Sequence, residues 1–230
     1  MYSFSKSLLV IGVSCLAFLY NKEISATLSD NSKVIYNESE DKKLNGPFAI
    51  TREDKVLLRG SYKDDRRSGN WYCFNPDGSV YMRYNYDQKK LVALDTARVA
   101  RAIVEFPGIK EESANGSIPV PVCSIDQYVS LLGAEFRRLI LAENKNAEGV
   151  IPVELIANID QNGKATYTGN YNVEGVTMTK RLKPDVKLFN IEWLPATMSS
   201  KPVAAVFKVN MSVDLSSNDI GRQRFRWTNY

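Results

Sequence analysis

The spacing of apolar and polar positions changes character part-way along the chain. From Val34 to Val92, short aromatic and β-branched runs are broken every few residues by Gly, Asn and Asp, a pattern that predicts hairpin strands. Asn75-Pro76-Asp77-Gly78 puts Pro at the first central position of a turn and Gly where positive φ is needed. Further on, Tyr128, Leu131, Leu132, Phe136, Leu139 and Ile140 fall on one helical face. Ser124 precedes them as an N-cap with Gln127 at the capping-box position, so a helix is predicted from Ile125 to Glu143. An apolar run from Val150 to Ile159, a turn at Asp160-Gln161-Asn162-Gly163 and a return from Ala165 to Asn172 predict a hairpin. Val176 to Asn190 carries a broken helical pattern interrupted by Pro184. From Ala204 to Val213, the residues Phe207, Val209, Met211 and Val213 alternate with Val206, Lys208, Asn210 and Ser212. That predicts a long strand in a sheet covered by helices on one side only.

Between these regions, Asp95 to Phe106 spaces Val99, Ala102, Ile103 and Phe106 as a short helix, while Arg101 to Phe106 also suits an exposed strand. Gly108 to Val122, with Gly116, Pro119 and Pro121, predicts an extended linker, and the domain boundary is placed there. Thr27 to Lys33 is polar and expected to be a mobile terminus. The fold class is therefore α+β, a β-hairpin repeat followed by a two-layer α+β domain with an antiparallel sheet. The expected segments are 1–26, 34–92, 93–123, 124–216 and a tail, 217–230.

The first segment has the parts of a secretory signal. Met1 to Lys6 is short and carries one positive charge; Ser7 to Tyr20 is apolar; Ile24-Ser25-Ala26 ends on a small residue. The apolar run is shorter than the roughly 20 residues that span a bilayer, so cleavage near Ala26 is expected rather than retention as an anchor. Cys15, after the small residue Ser14, offers lipidation as an alternative. Contact with a membrane follows only from a lipidated Cys15 or an uncleaved N-terminal segment. After cleavage Cys73 and Cys123 remain. In an oxidising compartment they are a candidate disulfide; the other reading is two separate buried thiols.

Composition narrows the chemistry. Hydrophobic residues make up 44% of the 230 and charged residues 24%, so the chain buries a core. The net charge is +4, and the basic pairs Arg66-Arg67 and Arg137-Arg138 are short and far apart, so no nucleic-acid partner is expected. The chain has no histidine, which removes the commonest general base, metal ligand and nucleophile activator. Asp160-Gln161-Asn162-Gly163 begins like a calcium loop, but no bidentate acid follows at the required place. No catalytic, cofactor-binding or metal-binding residue is assigned, and the chain is expected not to be an enzyme. In the tail, Arg222 to Tyr230 alternates basic and aromatic residues, which suits a recognition strand, a basic anchor or a frayed end.

An internal repeat of 23 residues aligns Gly46-Pro47-Phe48 with Gly69-Asn70-Trp71, and Val56-Leu57-Leu58 with Ser79-Val80-Tyr81. Tyr62 aligns with Tyr86 after one insertion. Gly60-Ser61-Tyr62, a charged turn, Gly69-Asn70-Trp71, Phe74 and Asp77-Gly78 together resemble the bacterial variant of MORN repeats, over Leu44 to Lys90. That resemblance implies a ladder of β-hairpins used as an interaction or scaffold surface. The later motifs are Gly149-Val-Ile-Pro-Val153, Ile159-Asp-Gln-Asn-Gly-Lys164, Trp193-Leu-Pro-Ala196, Ser200-Lys-Pro-Val203 and Phe207-Lys-Val-Asn-Met211. In this order they resemble the C-terminal domain of TonB-family proteins, over Ile125 to Leu215. The resemblance implies peptide binding by strand addition where this strand or a neighbour lies at the edge, and the candidate strand is Phe207, Lys208, Val209, Asn210 and Met211; the other reading is an edge kept closed by the tail or by a dimer. It also implies the periplasm or outer envelope of a Gram-negative bacterium. The expected function is a non-enzymatic protein-interaction or scaffold module of the periplasm, with an envelope protein or peptide as partner. The alternative is a TonB-like energy-transducer component, held by its N-terminal segment and contacting an outer-membrane transporter.

Overall fold

A computed structural model of the chain describes residues 22–108, 115–184, 188–216 and 225–227. The expected signal segment up to Asn21, Cys15 included, lies outside them. Seven strands come first: β1 (Lys22–Thr27), β2 (Lys33–Glu38), β3 (Leu44–Arg52), β4 (Lys55–Lys63), β5 (Arg66–Phe74), β6 (Val80–Asn85) and β7 (Lys90–Leu94). Each pairs with the next in one antiparallel sheet. The turns explain the tight meander. Glu53-Asp54 and Asp64-Asp65 each hold positive φ at both positions, the backbone that matches the right-handed twist of a hairpin. At Asn75–Ser79 the Gly78 N–H donates to the Asn75 carbonyl, as the Pro-Asp-Gly sequence predicts.

The inner face of this sheet is organised around Trp71. Phe48, its repeat equivalent, lies 5.4 Å away, and Tyr62 and Tyr86, equivalents of each other, meet its edge at 5.2 and 5.7 Å. Gly60 is required beneath the indole: a Cβ there would fall 2.2 Å from a ring carbon. The polar stretch expected to be mobile is instead a pinned turn. Leu28, Asp30 and Ser32 are buried. The Asp30 carboxylate accepts from Ser32 and from Arg52, and the same guanidinium donates to Ser130 Oγ at 2.7 Å. Burial of a charged pair with its own hydrogen bonds is what orders the stretch. Cleavage after Ala26 would remove all of β1 except Thr27.

The connector begins with α1 (Thr96–Val99), capped by Asp95, and continues as β8 (Ile103–Glu105), so the two readings of this stretch are both realised in sequence. β9 (Gly116–Ser117) and β10 (Val120–Pro121) follow. From Asn115 on, the described part of the predicted linker is extended, and it is also buried at Val120 and Val122, as is Cys123 beyond it. Helix α2 (Ile125–Glu143) has the predicted bounds, and Ser124 Oγ accepts from the Gln127 N–H at 3.2 Å. The Gln127 side chain makes no reciprocal capping bond, and both its polar atoms are without a partner among the described residues. The N-terminal half of α2 is buried on more than the single predicted face, because it lies between two layers. Asp126 and Ser130 meet Arg98 and Arg52 from the N-terminal half. Tyr128 and Phe136 pack on the second sheet. Gly133 permits that close approach, since a Cβ there would lie 2.7 Å from Met211 and 2.6 Å from Phe225.

The second sheet contains β11 (Val150–Ile159), β12 (Ala165–Val173) and β13 (Val176–Leu182). β14 (Trp193–Leu194), β15 (Ala196–Met198) and β16 (Lys201–Val203) are short. β17 (Ala205–Asp214) and β18 (Phe225–Trp227) complete the order β13-β12-β11-β17-β18. β10 pairs with β14, and β9 with β15. The helix expected between Val176 and Asn190 is not formed in the described residues; β13 occupies its first half. The cause is local: Glu174-Gly175 takes positive φ at both positions and closes a hairpin, and Val176, Thr177 and Thr179 are β-branched. The described part of the tail is paired as β18 rather than frayed. The architecture is thus mainly antiparallel β with one long helix, and one hydrophobic core joins both halves.

Candidate partner-binding edge

The strand singled out by sequence, Phe207 to Met211, is central rather than free. β11 pairs with β17 along all of Ala205–Asp214. On the other side, β8 pairs with Val206 to Lys208 and β18 with Met211 to Val213. Phe207, Val209 and Met211 are buried under α2, while Lys208 reaches Glu105 on β8 and Asn210 is exposed. The structure therefore corrects the expectation that a partner strand docks here. Part of the edge is closed by the tail, as the other reading of this strand has it, and part by the connector, in the stretch that also suited a strand.

Among the described residues β1, β7, β13 and β18 each end a sheet with one ladder neighbour, and β13, which pairs only with β12, continues the sheet that carries the predicted strand. Its hairpin with β12 exposes Val173, Val176 and Met178, and Val176 is 61% accessible. In a two-residue hairpin the flanking pair, here Val173 and Val176, exchanges both ladder bonds. The N–H groups of Thr177, Thr179 and Arg181 then point away from β12. Three side-chain contacts stiffen the strand from behind. Thr179 donates to Asn170 on β12 at 2.8 Å, Lys180 holds Glu143 of α2 at 2.6 Å, and Glu135 accepts from the Lys183 N–H at 3.4 Å. Sequence reasoning missed this edge because the stretch was assigned to a helix; Glu174-Gly175 between two valines was the signal that marks the turn.

The remaining predicted positions have structural roles. Cys73, on the inner face of β5, and Cys123, just before α2, are both buried free thiols, so no disulfide joins them in this structure. Burial pushes the Cys73 thiol up to about 12, and burial raises Cys123 as well, which removes thiolate chemistry at neutral pH. Trp193 is buried against Tyr128 and Phe207, and its Nε1 donates to the Tyr167 hydroxyl at 2.9 Å. The Asp160 turn uses its carboxylate on the Asn162 and Lys164 N–H groups, as a hairpin turn does. Among the described residues no group of three or more His, Cys, Asp or Glu side chains is placed to hold a metal ion, and no helix is long and apolar enough to cross a membrane. No protein-family model matches this chain, and no curated protein or solved structure is similar to it.

Proposed function

We propose that the chain is a non-enzymatic interaction module of the bacterial cell envelope that takes an extended segment of a partner protein on the open edge of β13. The observation that carries this reading is the seven-residue strand whose outward N–H and carbonyl groups have no ladder partner among the described residues. An open edge with exposed valine and methionine is a template for strand addition unless something covers it. Export to the periplasm is supported by the signal-like pattern of residues 1–26, and the resemblance to TonB C-terminal domains supports a peptide ligand. The alternative, a transducer component held by its N-terminal segment, differs in keeping Met1, so the mass of the native protein separates the two.

The experiment places a photo-crosslinker at Thr177 in the full chain and maps the partner segment it captures. The accompanying variant is Thr179→Pro, which removes an outward donor and leaves the backbone ladder to β12 intact, with Thr179→Ala as the control for the lost hydroxyl bond to Asn170. Capture that is abolished by Thr179→Pro, with an unchanged melting temperature, supports the edge. Equal capture by the folded proline variant overturns it.

A further inference from the structure

The outer face of the N-terminal sheet carries a cross-strand row that the register sets side by side: Ala49 on β3, Arg59 on β4, Tyr72 on β5, Arg83 on β6 and Ala93 on β7. The Arg59 guanidinium lies 5.1 Å from the Tyr72 ring centroid and 5.4 Å from that of Phe74. Arg83 approaches Tyr72 from the other side of the row at 5.7 Å. Tyr72 and Phe74 stack on each other at 6.4 Å. Arg83 Nε donates to Asn70 Oδ1 at 3.3 Å, and Asn85 Nδ2 donates to the same oxygen at 3.0 Å. Two cations are thus held on one ring, where they repel each other.

Among the described residues neither cation meets a carboxylate. Arg52, Arg67, Arg98 and Arg138 each meet a carboxylate. Arg59 and Arg83 meet none among the described residues, although the chain has 26 Asp and Glu. A guanidinium stacked on a ring keeps its in-plane donors for a planar oxyanion, and stacking fixes the direction in which they point.

The geometry points to this row as a docking surface for an acidic polysaccharide. Charge complementarity supplies the class of group: two preorganised forks suit the carboxylates of a repeating chain. The central position of the row supplies the mode. β4, β5 and β6, which carry Arg59, Tyr72 and Arg83, are paired on both sides, so no backbone edge is offered at the cations and a partner is held there by side chains alone. Ala49 and Ala93 leave low ends over which an extended chain can pass, and the Asn70–Asn85 amides lie beside the row to meet sugar hydroxyls. The Tyr72 ring is engaged by both guanidiniums, so it is not a free platform for a nucleobase. This surface is separate from the β13 edge, and the two proposals stand or fall independently.

The test is calorimetric titration of the full chain with polygalacturonate, and with neutral dextran as control. Polygalacturonate is expected to bind with an affinity that falls as salt rises, and dextran not to bind. The double variant Arg59→Gln/Arg83→Gln is expected to bind about tenfold or more weakly, the loss that follows from removing charge-assisted bonds. Arg66→Gln, an exposed change off the row, is expected to leave the affinity unchanged. Should the double variant lose its melting transition, Arg59→Gln alone is read in its place, and an unaltered affinity overturns the proposal. So does an absence of polygalacturonate binding, an equal loss with Arg66→Gln, or binding of phosphatidylglycerol vesicles or an oligothymidine at least as tight as that of polygalacturonate and lost in the same variants.

Discussion

Two buried side chains show how far residue type alone carries. The position of Trp193 beside Pro195, between the segment with the broken helical pattern and the last long strand, predicts a core residue, and the structure adds what the sequence does not contain, a hydrogen bond to Tyr167 and edge contacts with Tyr128 and Phe207. Trp193→Ala is expected to cost about 3–5 kcal/mol, as truncation of a buried aromatic does; urea unfolding with an unchanged midpoint would refute this placement. Cys73 was legible as buried or bonded but not as which. Its burial holds the proton on sulfur: the thiol, ordinarily near 9.0, is pushed up to about 12, with Arg67 pulling weakly the other way. The folded state therefore keeps a proton that the unfolded chain gives up. The associated stability is full below pH 9 and is lost as pH rises toward 12. Buried Tyr167 is also pushed up to about 12 and adds a loss of the same sign. The contribution of Cys73 is accordingly read as a difference: stability should fall less steeply between those pH values in Cys73→Ala than in the parent. At pH 8, labelling of both thiols should proceed at the rate of unfolding, and rapid labelling of the native protein would contradict their burial.

At the scale of elements, legibility followed the strength of the local signal. Helix α2 was readable to its ends because a cap, a helical stripe and a polar exit coincide at Ser124, Tyr128 to Ile140 and Asn144. The β11–β12 hairpin was readable from Asn162-Gly163. The turns at Glu53-Asp54 and Asp64-Asp65 lack glycine, so charged residues carry positive φ there and the strand ends were legible only from the apolar runs around them. For β8 and β18 a strand was one of the readings the sequence offered, but not their pairing with β17, because short strands borrow their stability from a neighbour rather than from their own pattern. The second layer over α2 was also invisible: a helix stripe reports one buried face, and Ser130 and Asp126 look like solvent positions until Arg52 and Arg98 arrive from the other half. The 23-residue repeat is where local and global order agree, and it yields a prediction. Gly60 lies under Trp71, with no room for a methyl group. Gly60→Ala must displace the indole or the strand and is expected to cost about 1–3 kcal/mol. Gly69→Ala meets no atom within 4 Å but carries a φ of +61°, so its cost comes from backbone strain instead. Equal near-ultraviolet circular dichroism of Gly60→Ala and the parent, with equal melting temperatures, would show that the indole is not packed this way.

The whole molecule is held together at a junction whose partners lie far apart in sequence. Arg67 on β5 points inward, and its side chain is only 8% exposed. It covers Trp71 at 4.3 Å, donates to Tyr86 at 2.8 Å and to the Asn190 carbonyl at 3.3 Å, and faces Glu192 at 3.3 Å. Tyr86 in turn donates to Glu192 at 2.9 Å, and Phe189 stacks on Phe48 at 6.4 Å. Burial alone would lower the Arg67 pKa, but the tyrosines and Glu192 outweigh it, so the guanidinium stays charged. The N-terminal sheet and the second layer thus share a charged network as well as one apolar core, which argues for a single cooperative unit rather than two independent domains. Arg67→Ala removes several bonds to a charged group and leaves Tyr86 and Glu192 without their cation. It is expected to cost more than about 2 kcal/mol. The change should also uncouple the halves. In the parent, tryptophan fluorescence and far-ultraviolet circular dichroism should report one coincident unfolding midpoint in urea. In Arg67→Ala the two midpoints should separate, because the N-terminal sheet loses its attachment to the loop before Trp193 while α2 keeps its packing on β17. Two separate transitions in the parent would overturn the single-unit reading, and coincident, unshifted transitions in the variant would show that the apolar core holds the halves together without this network.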